Sequence, residues 1–218
     1  EISACLVGSE MCIRDSIDVA YLQQFGMECP KDLSDTIEGM GFTETAQYFK
    51  KRFGLPREVE EIKRDWVEMT LDKYKNEVPL KAGAKEFLDE LKKREVKMGI
   101  ATSNSREIVR AVLSSLGVEG YFHQVLTSCD VKRGKPSPDI YLTCAEKLEV
   151  EPKNCLVFED VVAGILAGKR ANMQVCAIED AHSADMREEK KALADYYIKD
   201  YKNCQQWFVG GKNENCNY

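Results

Sequence analysis

Asn154-Cys155-Leu156-Val157-Phe158-Glu159-Asp160-Val161-Val162-Ala163-Gly164 is a short apolar run that stops at two adjacent carboxylates and resumes as a Gly- and Ala-rich helical pattern. A run of this length bounded by polar residues reads as a buried strand, and the carboxylates mark its carboxyl end. Comparable runs stand at Val96 to Ala101, Gln124 to Thr127, Gln174 to Ile178 and Asp195 to Ile198. Helical stripes separate them. Ala84, Phe87, Leu88 and Leu91 form one, and Ile108, Val109, Val112, Leu113 and Leu116 another; a third helix opens with Pro138 at its first position. Strands alternating with amphipathic helices predict an α/β fold, a doubly wound parallel sheet covered on both faces.

Upstream the rhythm differs. Ile17, Tyr21 and Phe25 recur every four residues, Ala46, Phe49 and Phe53 make a second stripe, and Val59, Ile62, Trp66 and Met69 a third. Gly26, Pro30, Gly39, Gly41, Gly54 and Pro56 punctuate these segments. The division expected is therefore a small all-helical unit over 17–79, an α/β unit over 80–204 and a tail over 205–218, with 1–16 standing apart.

Composition narrows the function. The 218 residues are 44% hydrophobic and 31% charged, the balance of a globular protein. Lys and Arg number 31 against 37 Asp and Glu, a net charge of -6 that argues against nucleic acid as a partner. No stretch approaches a membrane span and no basic–apolar leader opens the chain, so neither membrane nor secretion is expected. The 9 cysteines are odd in number, form no C-x-x-C and sit in apolar runs, which suits buried thiols in a reducing cytoplasm.

In a doubly wound sheet ligands bind beyond the carboxyl ends of the strands. Three polar groups fall there. Thr102-Ser103-Asn104-Ser105 follows one strand and leads into a helix, offering backbone N–H groups and small donors to an anion; a plain helix cap is the simpler reading of that turn. Lys135 stands before Pro136-Ser137-Pro138, a rigid frame that aims its ammonium. Glu159 and Asp160 repel each other unless a cation neutralises them, and hard oxygens with no His or Cys nearby suit Mg²⁺; the simpler alternative is an N-cap pair at Asp160. An anion cradle, an aimed cation and a metal pair together specify phosphoryl chemistry.

These stretches resemble the haloacid dehalogenase superfamily of phosphohydrolases, in its β-phosphoglucomutase-like branch with a helical cap. The resemblance rests on Gly99-Ile100-Ala101-Thr102-Ser103-Asn104, Arg133-Gly134-Lys135-Pro136-Ser137-Pro138-Asp139 and Leu156 through Gly164, in the family's order, and runs from about Ile17 to Tyr201. It implies that Thr102, with Ser103 and Asn104, binds phosphoryl oxygens, that Lys135 neutralises nucleophile and phosphate, and that Glu159 and Asp160 bind Mg²⁺. It makes 17–79 the cap. It also aligns Gly41, Phe42 and Thr43 with the cap's substrate loop, placing Phe42 where sugar phosphomutases carry an Arg; Phe42 as plain core filler is an equal reading.

The family's first motif, a strand ending in D-x-D-G-[TV] that supplies the nucleophile and the acid/base, is absent. Were Ile2 to Val7 the first strand, the two carboxylate positions would fall near Gly8 and Glu10; Asp15 and Asp18 read instead as caps of a helix beginning near Ile17. Residues 5–16 resemble one reading frame of a transposase adaptor from sequencing-library preparation, which predicts that 1–16 is not native to the gene. The first core strand is then missing or replaced, two inner sheet edges would be exposed, and poor folding or aggregation is expected.

The function expected of the intact parent is Mg²⁺-dependent hydrolysis of a small phosphorylated metabolite through an aspartyl-phosphate, by a monomer. The chain as it stands is expected to be inactive. The alternatives are a sugar phosphomutase of the β-phosphoglucomutase type and a non-catalytic protein binding phosphate or Mg²⁺.

Overall fold

A computed structural model describes the backbone of residues 2–3, 10–37, 40–77, 79–181, 183–202 and 204, with side chains from Ser16 onward apart from those of 35 and 74–77. Four helices come first: α1 (Glu10–Gln24), α2 (Leu33–Ile37), α3 (Phe42–Phe53) and α4 (Val59–Glu77). Their apolar stripes meet around Trp66, whose ring takes Tyr21 and Phe42 edge-on at 5.8 Å and Phe49 at 4.8 Å. Ile17, Leu22, Leu33, Ile37, Ala46, Leu55 and Ile62 complete this core. Aromatic rings crossing edge to face fill a small core with few residues, which a four-helix unit of this size requires.

The α/β part follows as α5 (Ala84–Lys93), β2 (Met98–Thr102), α6 (Arg106–Ser115), β3 (Gln124–Thr127), α7 (Asp139–Leu148), β4 (Leu156–Glu159), α8 (Val162–Arg170), β5 (Gln174–Ile178), α9 (Arg187–Leu193) and β6 (Tyr196–Ile198). With β1 (Ile2–Ser3) they form one parallel sheet in the order β3-β2-β1-β4-β5-β6. Alternation along each strand divides the core. Ile100, Phe158, Cys176 and Ile178 pack beneath α5 and α6 with Tyr201 and Cys204. Ala101, Val157, Val175 and Ala177 pack beneath α7 and α8 with Cys144 and Cys155. The cysteines there are buried as expected for small apolar side chains.

Two expectations change. The slot for the first strand is filled: Ile2 pairs with Met98 and Leu156, and Ser3 with Gly99 and Val157, so both inner edges are engaged there. The family's strand is thus replaced by a short one rather than left out. Gly8, where a nucleophile was considered, lies outside the described residues, and Glu10 opens α1. The helix expected near Ile17 begins at Glu10, because Glu10 to Ser16 contain neither Gly nor Pro to stop it. Asp15 and Asp18 therefore lie inside α1 and do not cap it. The tail over 205–218 lies outside the described residues.

Helical unit and sheet meet at two places. α4 packs on α6, and Phe42 belongs to both the helical core and the core beneath α5 and α6. Gly41 lies so close to the 3-10 turn Ser128–Asp130 that a Cβ there would sit 2.9 Å from Ser128 Oγ. Thr43 Oγ1 is 4.0 Å from Cys129 Sγ in the same turn.

Candidate active site

β2 and β4 run parallel, and both end toward the same point. Thr102 closes β2, and its Oγ1 accepts a hydrogen bond from the Asn104 N–H at 3.1 Å, tightening the turn. The cap of α6 is Ser105, whose Oγ accepts from the Ile108 N–H at 3.3 Å. One residue suffices to cap a helix, so Thr102, Ser103 and Asn104 are left at the helix entrance, where N–H dipoles favour an anion. Ser128 Oγ donates to the Ser103 carbonyl at 3.3 Å and ties that turn to the β3 turn.

Lys135 reaches this point from the segment between β3 and α7. Its frame is braced by the Ser137 N–H on the Gly134 carbonyl at 2.9 Å, Ser137 Oγ on Asp139 at 2.6 Å and Arg170 on the Pro136 carbonyl at 2.8 Å. Arg133 joins that brace through Asp139 at 3.0 Å. The Lys135 ammonium donates to the Ala101 carbonyl at 3.2 Å and forms a short ion pair with Glu159 Oε1. Tyr141, buried on α7, donates its hydroxyl to the same oxygen.

Glu159 ends β4. Burial pushes its carboxyl upward; Lys135 and the Tyr141 hydroxyl pull it back, while the adjacent Asp160 adds repulsion. Its carboxylate lies over Gly164, at which any Cβ would collide with both oxygens. Asp160 is not the cap of α8, since Val161 occupies that place with no side-chain bond. Its backbone carbonyl is held by Ser183 Oγ at 2.8 Å and by the ammonium of the fully buried Lys190 at 3.2 Å. Its carboxylate, on a residue only 7% exposed, carries no donor from the described residues.

In donor chemistry the two carboxylates fit a hard divalent cation, and like charges on adjacent buried side chains favour one. A third protein ligand is not among the described residues. Sequence reasoning placed both carboxylates on a metal, whereas one Glu159 oxygen is committed to Lys135 and Tyr141. It missed Tyr141 and Lys190 altogether: Tyr141 is a single phenol in an apolar stripe of α7, while Lys190 stands among the charges of Arg187 to Lys191 with nothing to single it out. Gly168 lets α8 approach the sheet, since a Cβ there would meet Val175 at 2.7 Å, while Gly164 makes room for Glu159. His123 is exposed and accepts the Met98 N–H at 3.1 Å on Nδ1. His182 lies outside the described residues.

Gly41, Phe42 and Thr43 are drawn to the seam with Ser128 and Cys129. Phe42 is partly buried against both cores, so its ring fills the seam. Among the described residues no helix is long and apolar enough to cross a membrane.

Comparison with known proteins agrees with this arrangement. The validoxylamine A 7'-phosphate phosphatase of Streptomyces hygroscopicus subsp. limoneus is 39% identical over 128 residues, 59% of this chain and 58% of that protein. The bifunctional riboflavin kinase/FMN phosphatase of Arabidopsis thaliana is 29% identical over 232 aligned residues, 97% of this chain and 60% of that protein. The chain thus spans about three-fifths of the length of these two relatives. CbbY from Rhodobacter sphaeroides, solved with phosphate, shares the fold with a TM-score of 0.80 at 21% identity, covering 93% of this chain and 94% of that one. The model of the haloacid dehalogenase-like hydrolases matches residues 5–178, a span that takes in the helical unit, Thr102, Lys135, Glu159 and Asp160 and begins within the adaptor-like segment. On that match, and on the sheet and site that bear it out, the chain belongs to the family of haloacid dehalogenase-like hydrolases.

Proposed function

We propose that the chain carries the phosphoryl- and Mg²⁺-binding parts of a phosphomonoester hydrolase for small phosphorylated metabolites. The observation that carries this reading is the convergence of Lys135 and Glu159 beside the end of β2, within reach of the turn Thr102-Ser103-Asn104. Relatives named as phosphatases support it. Thr102, Ser103 and Asn104 receive phosphoryl oxygens at the entrance of α6. Lys135 supplies fixed positive charge, held in place by Glu159 so that no reorganisation is needed when the anion arrives. Asp160 and Glu159 would hold Mg²⁺, which when bound would neutralise charge on the transferred group. The helical unit 17–79 is the cap, and Gly41, Phe42 and Thr43 bring its edge against the β3 turn.

Turnover needs a nucleophile beside Lys135, and residues 1–16 contain no D-x-D. We therefore assign binding to this chain and hydrolysis to a parent with that motif restored. The mutase reading has less support, because Phe42 offers no charge for a second phosphate. The non-catalytic reading is set apart by whether restoring the motif produces turnover.

Calorimetry on this chain with inorganic phosphate, with and without Mg²⁺, tests the binding half. Phosphate is expected to bind more tightly with Mg²⁺ present, and Thr102→Val and Lys135→Met are each expected to weaken it on the order of tenfold or more. Phosphate binding indifferent to both substitutions would contradict the assignment.

A further inference from the structure

We propose that Tyr141 is a positioning residue of this site, which fixes the Lys135–Glu159 pair through its hydroxyl. The inference rests on the phosphoryl-binding reading of Lys135.

Tyr141 belongs to the buried stripe Ile140, Tyr141, Cys144, Ala145 and Leu148 of α7, where a Phe would fill the same space. A phenol buried in such a place must find a partner for its hydroxyl. Here the partner is the Glu159 oxygen already held by the Lys135 ammonium. The face of the same ring lies beside Lys135, with Nζ 5.3 Å from its centre, so one side chain touches both members of the pair. Gly164 stands against the same carboxylate, so close that a Cβ there would collide with both oxygens. A carboxylate fixed by two donors and a wall keeps one position, and the long, flexible lysine then has one direction in which to point. Without the hydroxyl, Glu159 has a single donor on that oxygen, and the pair can rotate away from the entrance of α6.

Tyr141→Phe keeps the ring and removes the bond; Tyr141→Leu removes both. Phosphate affinity in the presence of Mg²⁺ is measured by calorimetry for this chain and the two variants, alongside their melting temperatures. If the hydroxyl positions the pair, Y141F loses phosphate affinity on the order of tenfold, nearly as much as Y141L, while melting much closer to the parent than Y141L does. If Tyr141 serves packing alone, Y141F binds phosphate as the parent does and only Y141L falls, which overturns the proposal. Should the parent chain bind no phosphate, the phosphoryl-binding reading fails and the role of Tyr141 falls with it, an outcome distinct from a parent that binds and a Y141F variant that binds equally.

Discussion

Gly164 shows how one missing methyl group shapes the site. Its Cα stands so close to the Glu159 carboxylate that a Cβ would displace both oxygens. Gly164→Ala is therefore expected to destabilise the chain by about 1–3 kcal/mol through overpacking, and to weaken phosphate binding as the pair with Lys135 moves. Thermal melts and calorimetry check both, and a variant that is unchanged in the two would contradict this role for the glycine. Lys190 sits at the same carboxyl end of β4, fully buried, donating to Asp160 O at 3.2 Å, Ile178 O at 3.1 Å and Ser183 Oγ at 2.8 Å. Lys190→Met leaves those acceptors without their ammonium and is expected to cost about 2–4 kcal/mol, read from denaturant unfolding. At this scale the sequence was only partly legible. Thr102, Glu159 and Asp160 could be read because each stands at the end of an apolar run, and Lys135 because two prolines frame the residues after it. The pairing of Lys135 with Glu159, 24 positions away, could not, because α7 brings them together only once it is packed on the sheet.

The 3-10 turn Ser128–Asp130 ties β3, the turn after β2 and the helical unit together. Asp130 holds it, accepting from the Thr127 N–H at 2.7 Å, from Thr127 Oγ1 at 2.9 Å and from Arg106 at 2.7 Å. Burial alone would raise its carboxyl, but these donors and the Arg106 charge outweigh burial and hold it below the ordinary Asp value. A depressed acid contributes stability that is present above the unfolded pKa and lost as pH falls through the folded one. Asp130→Asn is accordingly expected to lower stability near neutral pH by about 1 kcal/mol and to flatten the loss of stability below about pH 4. Urea unfolding across that range checks it, and an acid limb unchanged from the parent would contradict it. The helices and strands of the α/β part follow the sequence pattern closely, since period 2 and period 3.6 separate cleanly there. The start of α1 did not follow, because nothing in Glu10 to Ser16 breaks a helix. Nor did the pairing of Ile2–Ser3, since a two-residue strand has no periodicity to read. Removal of residues 1–9 would leave β2 and β4 each with an unpaired inner edge. The truncated chain is expected to aggregate at concentrations where the full chain stays dispersed, as light scattering would report.

For the whole molecule, the division of labour between a four-helix unit and a parallel sheet was legible from the change of rhythm near residue 80, while the seam between them was not. Phe42 stood open between substrate contact and core filler, and its ring joins the two cores, because a half-buried aromatic is held wherever apolar surface is offered on both sides. The substrate edge of the site would then be made by the polar neighbours of that seam, Ser128 and Thr43 among them. The central claim is that binding groups for phosphate and Mg²⁺ are assembled here and that turnover lacks only the first motif. The direct measurement replaces residues 1–16 with an apolar strand ending in D-x-D-G-T and compares hydrolysis of p-nitrophenyl phosphate by that chain and by the present one. Turnover by the repaired chain that is abolished by EDTA, restored by Mg²⁺, and at least roughly a thousandfold above that of the present chain is the result expected. A repaired chain that folds but shows no turnover, or a present chain that already hydrolyses the ester at the same rate, would contradict it.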